Sequence, residues 1–263
     1  MSASDPAVLL PEVTALARKA SEAVMRIYAG NHTVRRKADA SPVTEADHAS
    51  EAIILEGLRR LTPHIPVVSE EEVSNDGASF DHQNPPKRFW LVDPVDGTKE
   101  FVARRGEFTI NIGLVEDGKP VLGVLHAPIA GITYAAAGPG SATAQRTDGS
   151  IRPIQVRRPP AAGIVVLASR SHGDKAGVSA FLEDYNVAER RLMGSAIKFA
   201  LIAEGAGDLY PRLGPTMEWD TCAGQAILEA AGGTVTTFSG KPLRYGKRDF
   251  LNPDFIARGG TAE

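Results

Sequence analysis

The stretch Phe89-Trp90-Leu91-Val92-Asp93-Pro94-Val95-Asp96-Gly97-Thr98 decides how the rest of this chain is read. Four consecutive apolar residues read as a strand that ends at Asp93. At its end two aspartates stand three residues apart across a proline, followed by Gly-Thr. The chain must turn there, carrying both carboxylates out of the sheet end. Taken alone, Asp-Pro and Asp-Gly are ordinary turn dipeptides. The apolar strand in front of them argues for a site, because two acids within ~4–6 Å repel unless a cation sits between them.

Two further acidic groups widen the pattern. Ile65 to Ser69 reads as a strand delivering Glu70-Glu71-Glu72 at its carboxyl end, ahead of a polar loop through Asn84. Glu218-Trp219-Asp220 precedes a helical stretch whose apolar side is Ala223, Ala226, Ile227 and Ala230, with Gly232-Gly233 at its end. Asp220 in that place is either a helix N-cap or a ligand, and the positive end of the helix suits both roles. The six histidines, His32, His48, His64, His82, His126 and His172, show no paired spacing of the H-E-x-x-H kind. Hard oxygen donors without imidazole or thiolate favour Mg²⁺ or Mn²⁺ over zinc, and such ions commonly work on phosphate. No P-loop, G-x-S-x-G elbow or G-x-G-x-x-G fingerprint is present, so kinase, serine hydrolase and dehydrogenase readings lack support.

Outward from these motifs, the periodicity predicts a helix from Pro11 to Tyr28, with Pro11 in its first turn, and a second from a Thr44 cap to Leu61. Thr109–Val115, Val121–Leu125 and Ile132–Ala136 read as strands, the first two joined by a hairpin at Glu116-Asp117-Gly118-Lys119. The Gly-, Pro- and Ala-rich segment from Ala137 to Ala162 carries little periodicity and is read as the boundary between an N-terminal α+β lobe, 1–150, and a C-terminal α/β lobe, 151–263. In the second lobe, strands at Ile164–Ala168, Arg191–Met193, Asp208–Tyr210 and Thr234–Thr237 alternate with helical stretches near 174–184, 195–205 and 220–231.

With 263 residues, 43% of them hydrophobic, the chain can bury a sizeable core. A net charge of −3 from 29 basic and 32 acidic side chains, mixed along the chain, speaks for a small-molecule substrate and against nucleic acid. One cysteine, Cys222, rules out an internal disulfide. No stretch nears the ~18 apolar residues of a membrane span, and the expectation is a cytoplasmic protein with no integral membrane segment.

In order and spacing, Val43-Thr44-Glu45-Ala46-Asp47, Ser69-Glu70-Glu71, Asp93-Pro94-Val95-Asp96-Gly97-Thr98 and Trp219-Asp220 resemble the inositol monophosphatase-like superfamily. Lys99-Glu100-Phe101, Gly106-Glu107-Phe108-Thr109, Ser169-Arg170-Ser171-His172 and Tyr210-Pro211-Arg212 resemble its bacterial 3′(2′),5′-bisphosphate nucleotidase branch. The resemblance implies an αβαβα layered sandwich, an α+β lobe on an α/β lobe, with metal in the cleft. It implies that Glu70, Asp93 and the Val95 carbonyl hold one Mg²⁺ and that Asp93, Asp96 and Asp220 hold a second, with two or three ions per site and Mn²⁺ as a substitute. It further implies that the Gly97 and Thr98 amides grip the phosphate, that Asp47 and Thr98, with Glu70, activate water, and that His172 packs near adenine. Ser195, Lys198 and Arg212 would contact the phosphate that stays on the product. The implied reaction converts adenosine 3′,5′-bisphosphate to AMP and phosphate in sulfur metabolism, inhibited by Li⁺, and the branch also allows a peripheral seat at the inner membrane. An inositol or sugar phosphate phosphatase would share the same metal core. A silent regulator would have lost a ligand, and every expected carboxylate is present.

Overall fold

A computed structural model describes residues 4–30, 34–36, 42–74, 80–171 and 173–260. Helix α1 (Pro6–Ala29) is followed by a short ribbon of β1 (Val34–Arg36) and β2 (Pro42–Thr44), then α2 (Glu45–Leu61), β3 (Val67–Ser69) and α3 (Glu70–Ser74). Next come β4 (Arg88–Asp96), α4 (Thr98–Val102), β5 (Thr109–Glu116), β6 (Lys119–Ala127), β7 (Ile132–Ala136), β8 (Thr143–Arg146) and β9 (Ile151–Pro153). The remainder is β10 (Ile164–Ser169), α5 (Lys175–Phe181), β11 (Val187–Met193), α6 (Ile197–Ala203), β12 (Leu209–Arg212), a 3₁₀ turn at Glu218–Asp220, α7 (Cys222–Ala230), β13 (Thr234–Thr237) and β14 (Phe255–Arg258).

Strands β3 to β9 form a seven-stranded sheet in sequence order, antiparallel except for the β3–β4 pair. The second sheet runs β11-β10-β12-β14-β13, parallel across its first three strands and antiparallel across its last three. Five layers result. Helices α1 and α2 cover one face of the first sheet, where Val13, Val24, Ile54 and Leu58 meet Trp90, Val92, Ile110 and Ile112. Helices α6 and α7 fill the space between the sheets, Phe199, Ile227 and Leu228 packing against Leu125 and Tyr134 on one side and Leu167, Tyr210 and Phe255 on the other. Val178 and Phe181 of α5 close the far face of the second sheet over Val166, Leu209 and Ile256. This is the αβαβα sandwich. It explains why Phe89 to Val92 are apolar without alternation: Trp90 and Val92 face α1 and α2, while Phe89 and Leu91 face Trp219 and Cys222.

The central helix must lie flat on its sheet, and two bare positions allow it. A Cβ at Gly113 would stand 2.4 Å from Cys222 Sγ, and one at Gly123 would stand 2.3 Å from the Ala223 carbonyl oxygen. Glycine is required at both by close approach rather than by backbone angle. At the β5–β6 hairpin, by contrast, Asp117 and Gly118 both have positive φ, 49° and 71°, the conformation a two-residue turn between twisted strands demands.

The structure corrects several expectations. Helix α1 starts at Pro6 with Asp5 as its cap, so Pro11 lies inside the helix and not in its first turn. Residues 70–74 continue as a helix where a polar loop was expected. The low-periodicity segment after Ala136 contributes β8 and β9 to the first sheet. Its strands are short: β9 is the sheet's open edge, with Ile151 to Pro153 exposed, and β8 fully buries only Ala144, so burial imposes little alternation there. Strand β14, unread in the sequence, is held between β12 and β13.

Candidate metal and phosphate site

A cavity of about 390 Å³ opens at the sheet ends, lined from the first sheet by Asp93, Val95, Asp96, Gly97 and Thr98. Its construction begins with a register fault. Asp93 pairs with Asn111 and Asp96 with Thr109, so β4 spends one more residue than β5 between the two pairs. Residues three apart in a regular strand point to opposite faces, and the extra residue of a bulge turns the second back toward the first. Pro94 suits the bulge because it has no N–H to lose. The Pro94 carbonyl is tied to α2 by the Ser50 hydroxyl at 2.8 Å, and the Val95 N–H donates to Asp93 Oδ1 at 3.1 Å. Gly97 then takes φ +94°, and a Cβ there would press on the Glu107 carbonyl at 3.0 Å, so only glycine fits.

Asp220 arrives from the other direction. It is not the N-cap of α7: Thr221 holds that position, and Asp220 Oδ2 instead accepts the Met217 N–H at 2.9 Å, closing the 3₁₀ turn. The turn sets carboxylate oxygens of Asp93, Asp96 and Asp220 within 4.8 Å of one another. Glu70, the first residue of α3, lines the same cavity outside that tight triad. Burial pushes the Asp96 carboxyl up to about 6; the Lys198 cation and hydrogen bonds from the Ala196 N–H and Asn111 Nδ2 oppose the rise. Asp220 is driven well above the carboxylate range by burial, then by the charges of Asp96 and Glu70. Three convergent carboxylates held at this cost, with oxygen as the sole donor type, fit a hard divalent cation.

Asp47 and Thr98 come together as expected. Asp47, buried in the first turn of α2, accepts the Thr44 N–H at 2.8 Å and the Thr44 hydroxyl at 2.7 Å on Oδ2. Its Oδ1 lies 3.2 Å from Thr98 Oγ, which also stands 3.1 Å from the Val95 carbonyl. One hydroxyl proton serves those two acceptors in turn.

The facing wall belongs to the second sheet. Ser195, Lys198 and Arg212 all line the cavity. Ser195 sits in the left-handed region at φ +48°. The Lys198 ammonium caps that turn, donating to the carbonyls of Gly194 at 3.0 Å and of Ser195, and lies 5.0 Å from the Tyr210 ring centre. Burial lowers its pKa to about 8, against the pull of Asp96. One Arg212 NH₂ group donates to the Pro215 carbonyl at 2.6 Å. His172 lies outside the described residues. Glu100, Glu107 and Arg170, which in the sequence stand only within stretches that resemble the nucleotidase branch and carry no assigned role there, join the two walls. Their partners lie 63 to 87 positions away, so no local spacing marks them.

A bulged strand end carrying two aspartates, a third from a central helix start, and an Asp–Thr pair behind them define a metal-dependent phosphatase, and residues 5–262 match the inositol monophosphatase family. The chain belongs to that family, whose members require metal. It is 47% identical over 252 residues to the 3′(2′),5′-bisphosphate nucleotidase CysQ of Escherichia coli K12, an alignment covering 94% of this chain and 98% of that one. Among solved structures it resembles CysQ from Bacteroides thetaiotaomicron, with 34% identity, a TM-score of 0.77 and coverage of 94% and 96%. It also resembles the inositol monophosphatase of Anabaena, with 26% identity, a TM-score of 0.74 and coverage of 97% and 91%. Among the described residues no helix is long and apolar enough to cross a membrane.

Proposed function

We propose that this protein is a magnesium-dependent 3′(2′),5′-bisphosphate nucleotidase that removes the 3′-phosphate of adenosine 3′,5′-bisphosphate, leaving AMP, and treats 3′-phosphoadenylyl sulfate the same way. The observation that carries this reading is its 47% identity to such a nucleotidase across nearly the full length of both proteins.

Asp93, Asp96 and Asp220 would hold one ion, and Glu70, Asp93 and the Val95 carbonyl another; Mn²⁺ would substitute for Mg²⁺. Ions held there would supply acidification of the attacking water and charge stabilisation at the leaving oxygen. The chain's own residues do the rest. Thr98 Oγ accepts a proton of the attacking water while passing its own to Asp47 Oδ1, since Asp47 Oδ2 is occupied by two bonds from Thr44. The amides of Gly97 and Thr98 hold the scissile phosphate, and Ser195, Lys198 and Arg212 orient the phosphate that stays.

Phosphate release from adenosine 3′,5′-bisphosphate and from inositol 1-phosphate tests the assignment. The expected kcat/KM favours the bisphosphate by roughly tenfold to over a hundredfold, the contribution of one charge-assisted hydrogen bond. Li⁺ should inhibit both reactions. Preference for inositol 1-phosphate would assign the chain to inositol or sugar phosphates instead.

A further inference from the structure

The two walls of the cavity come from different sheets, and something must fix the distance between them. On the first wall, Glu107 lies in the loop between α4 and β5, just after the metal-binding turn. Its carboxylate reaches across the cleft. Oε1 accepts from an Arg170 NH₂ group at 2.6 Å, while Oε2 accepts from Arg170 Nε at 3.3 Å and from the Gly194 N–H at 2.9 Å. Arg170 follows β10, and the same guanidinium donates to the Leu192 carbonyl at 2.6 Å, while its backbone N–H donates to the Met193 carbonyl at 3.1 Å. One carboxylate thereby grips two strand ends of the second sheet, those of β10 and β11. Beside it, Glu100 accepts the Ser171 hydroxyl at 2.9 Å, and a Cβ on Gly194 would stand 2.6 Å from Glu100 Cγ. Gly194 is bare because that acidic side chain lies across it.

What these bonds hold is specific. Ser171 and Ser195 both line the cavity, and Ser195 follows the gripped Gly194 directly. Neither Glu107 nor Arg170 lines it. We propose that Glu107 and Arg170 form a clasp that determines specificity, setting the Ser171–Ser195 wall at a fixed spacing from the Asp93–Thr98 turn so that a substrate anchored at both ends is held in register. This rests on the nucleotidase reading, because only a substrate with a second anchoring group spans the two walls. A bidentate guanidinium–carboxylate pair suits a spacer, its planar fork fixing angle as well as distance. A phosphomonoester bound only at the metal-side wall does not depend on it.

The test compares E107Q and R170K with the wild type on adenosine 3′,5′-bisphosphate and on p-nitrophenyl phosphate, which has no second anchor. The expected result is a loss of at least about tenfold in kcat/KM for the bisphosphate, carried mainly by KM, with the aryl phosphate within about twofold of wild type. Because the two residues act as one unit, the double variant should be no worse than the poorer single one. Equal losses on both substrates, or no loss on either, would overturn the clasp. Thermal unfolding is followed in parallel: if E107Q alone fails to fold, R170K, which keeps the charge and loses the fork, decides, and failure of both to fold also overturns it. Wild-type indifference between the bisphosphate and inositol 1-phosphate marks failure of the nucleotidase reading, whereas a wild-type preference that survives both substitutions marks failure of the clasp.

Discussion

The turn from Asp93 to Thr98 and the wall formed by Ser169, Ser171, Gly194 to Ala196, Lys198 and Arg212 border one cavity, yet they are built by opposite means. The turn is local: a bulge, a proline and a left-handed glycine place two carboxylates and a hydroxyl within six residues. The wall is assembled from three strand ends and held by acids at or just after the end of β4: Asp96 on the Ala196 N–H, Glu107 on Arg170 and Gly194, Glu100 on Ser171. On the proposed function, chemistry falls to one turn and recognition to a spread wall, so substitutions on the two sides should fail differently.

The largest expected effect is on the turn. Asp93→Asn should abolish metal-dependent phosphate release on every substrate while thermal unfolding still shows a folded protein; turnover near wild type would remove Asp93 from the site. Thr98→Ala should follow, with kcat lower by roughly a hundredfold for bisphosphate and monophosphate alike, as a proton-transfer group contributes ~10²–10⁴. On the wall, Lys198→Ala should reduce kcat/KM for the bisphosphate about ten- to a hundredfold and for inositol 1-phosphate hardly at all. Equal loss on both would mean that the ammonium serves only to cap the Ser195 turn, whose carbonyls it already contacts.

A smaller effect separates the turn by pH. With its folded-state pKa raised to about 6 from 3.8, Asp96 holds its proton where the unfolded chain has released it. The stability of the metal-free protein therefore falls as pH rises from about 4 to about 6 and is flat in this group's contribution above that. Metal binding requires the carboxylates, so affinity should strengthen as pH rises, by at least about tenfold per pH unit below 6, and go on strengthening above it as Asp220, held well above the carboxylate range, gives up its proton. Calorimetric Mg²⁺ titrations at pH 5, 6 and 7 check the sign. The smallest expected effect is Gly113→Ala, which forces a methyl group against Cys222 Sγ and should lower stability by about 1–3 kcal/mol, read by denaturant unfolding.

How much of this was legible beforehand follows from the same contrast. Asp93, Asp96, Thr98 and the Thr44–Asp47 cap are readable because the residues that create the geometry are neighbours in the chain. Strand β4 was readable because burial on both faces leaves an unbroken apolar run. Strands β8 and β9 carry no readable pattern because one buries a single residue of four and the other is an exposed sheet edge. The start of α1 was misplaced because Pro6 and Pro11 both suit a first turn, and the cap at Asp5 chooses between them. Glu107 and Arg170 stand in stretches that resemble the nucleotidase branch, but their pairing with each other and with Gly194 was not readable, since an acid, a base and a glycine become a joint only when the sheets meet.

Cys222, the single thiol of the chain, lies fully buried against bare Gly113, two residues beyond Asp220. Burial raises its pKa well above the usual thiol value, which leaves it unreactive while α7 stays seated. That makes the residue a clock. A maleimide can reach the sulfur only in the intervals when the helix lifts from the sheet, so the rate of alkylation counts those intervals, and a ligand that clamps Asp220 should lengthen the time between them.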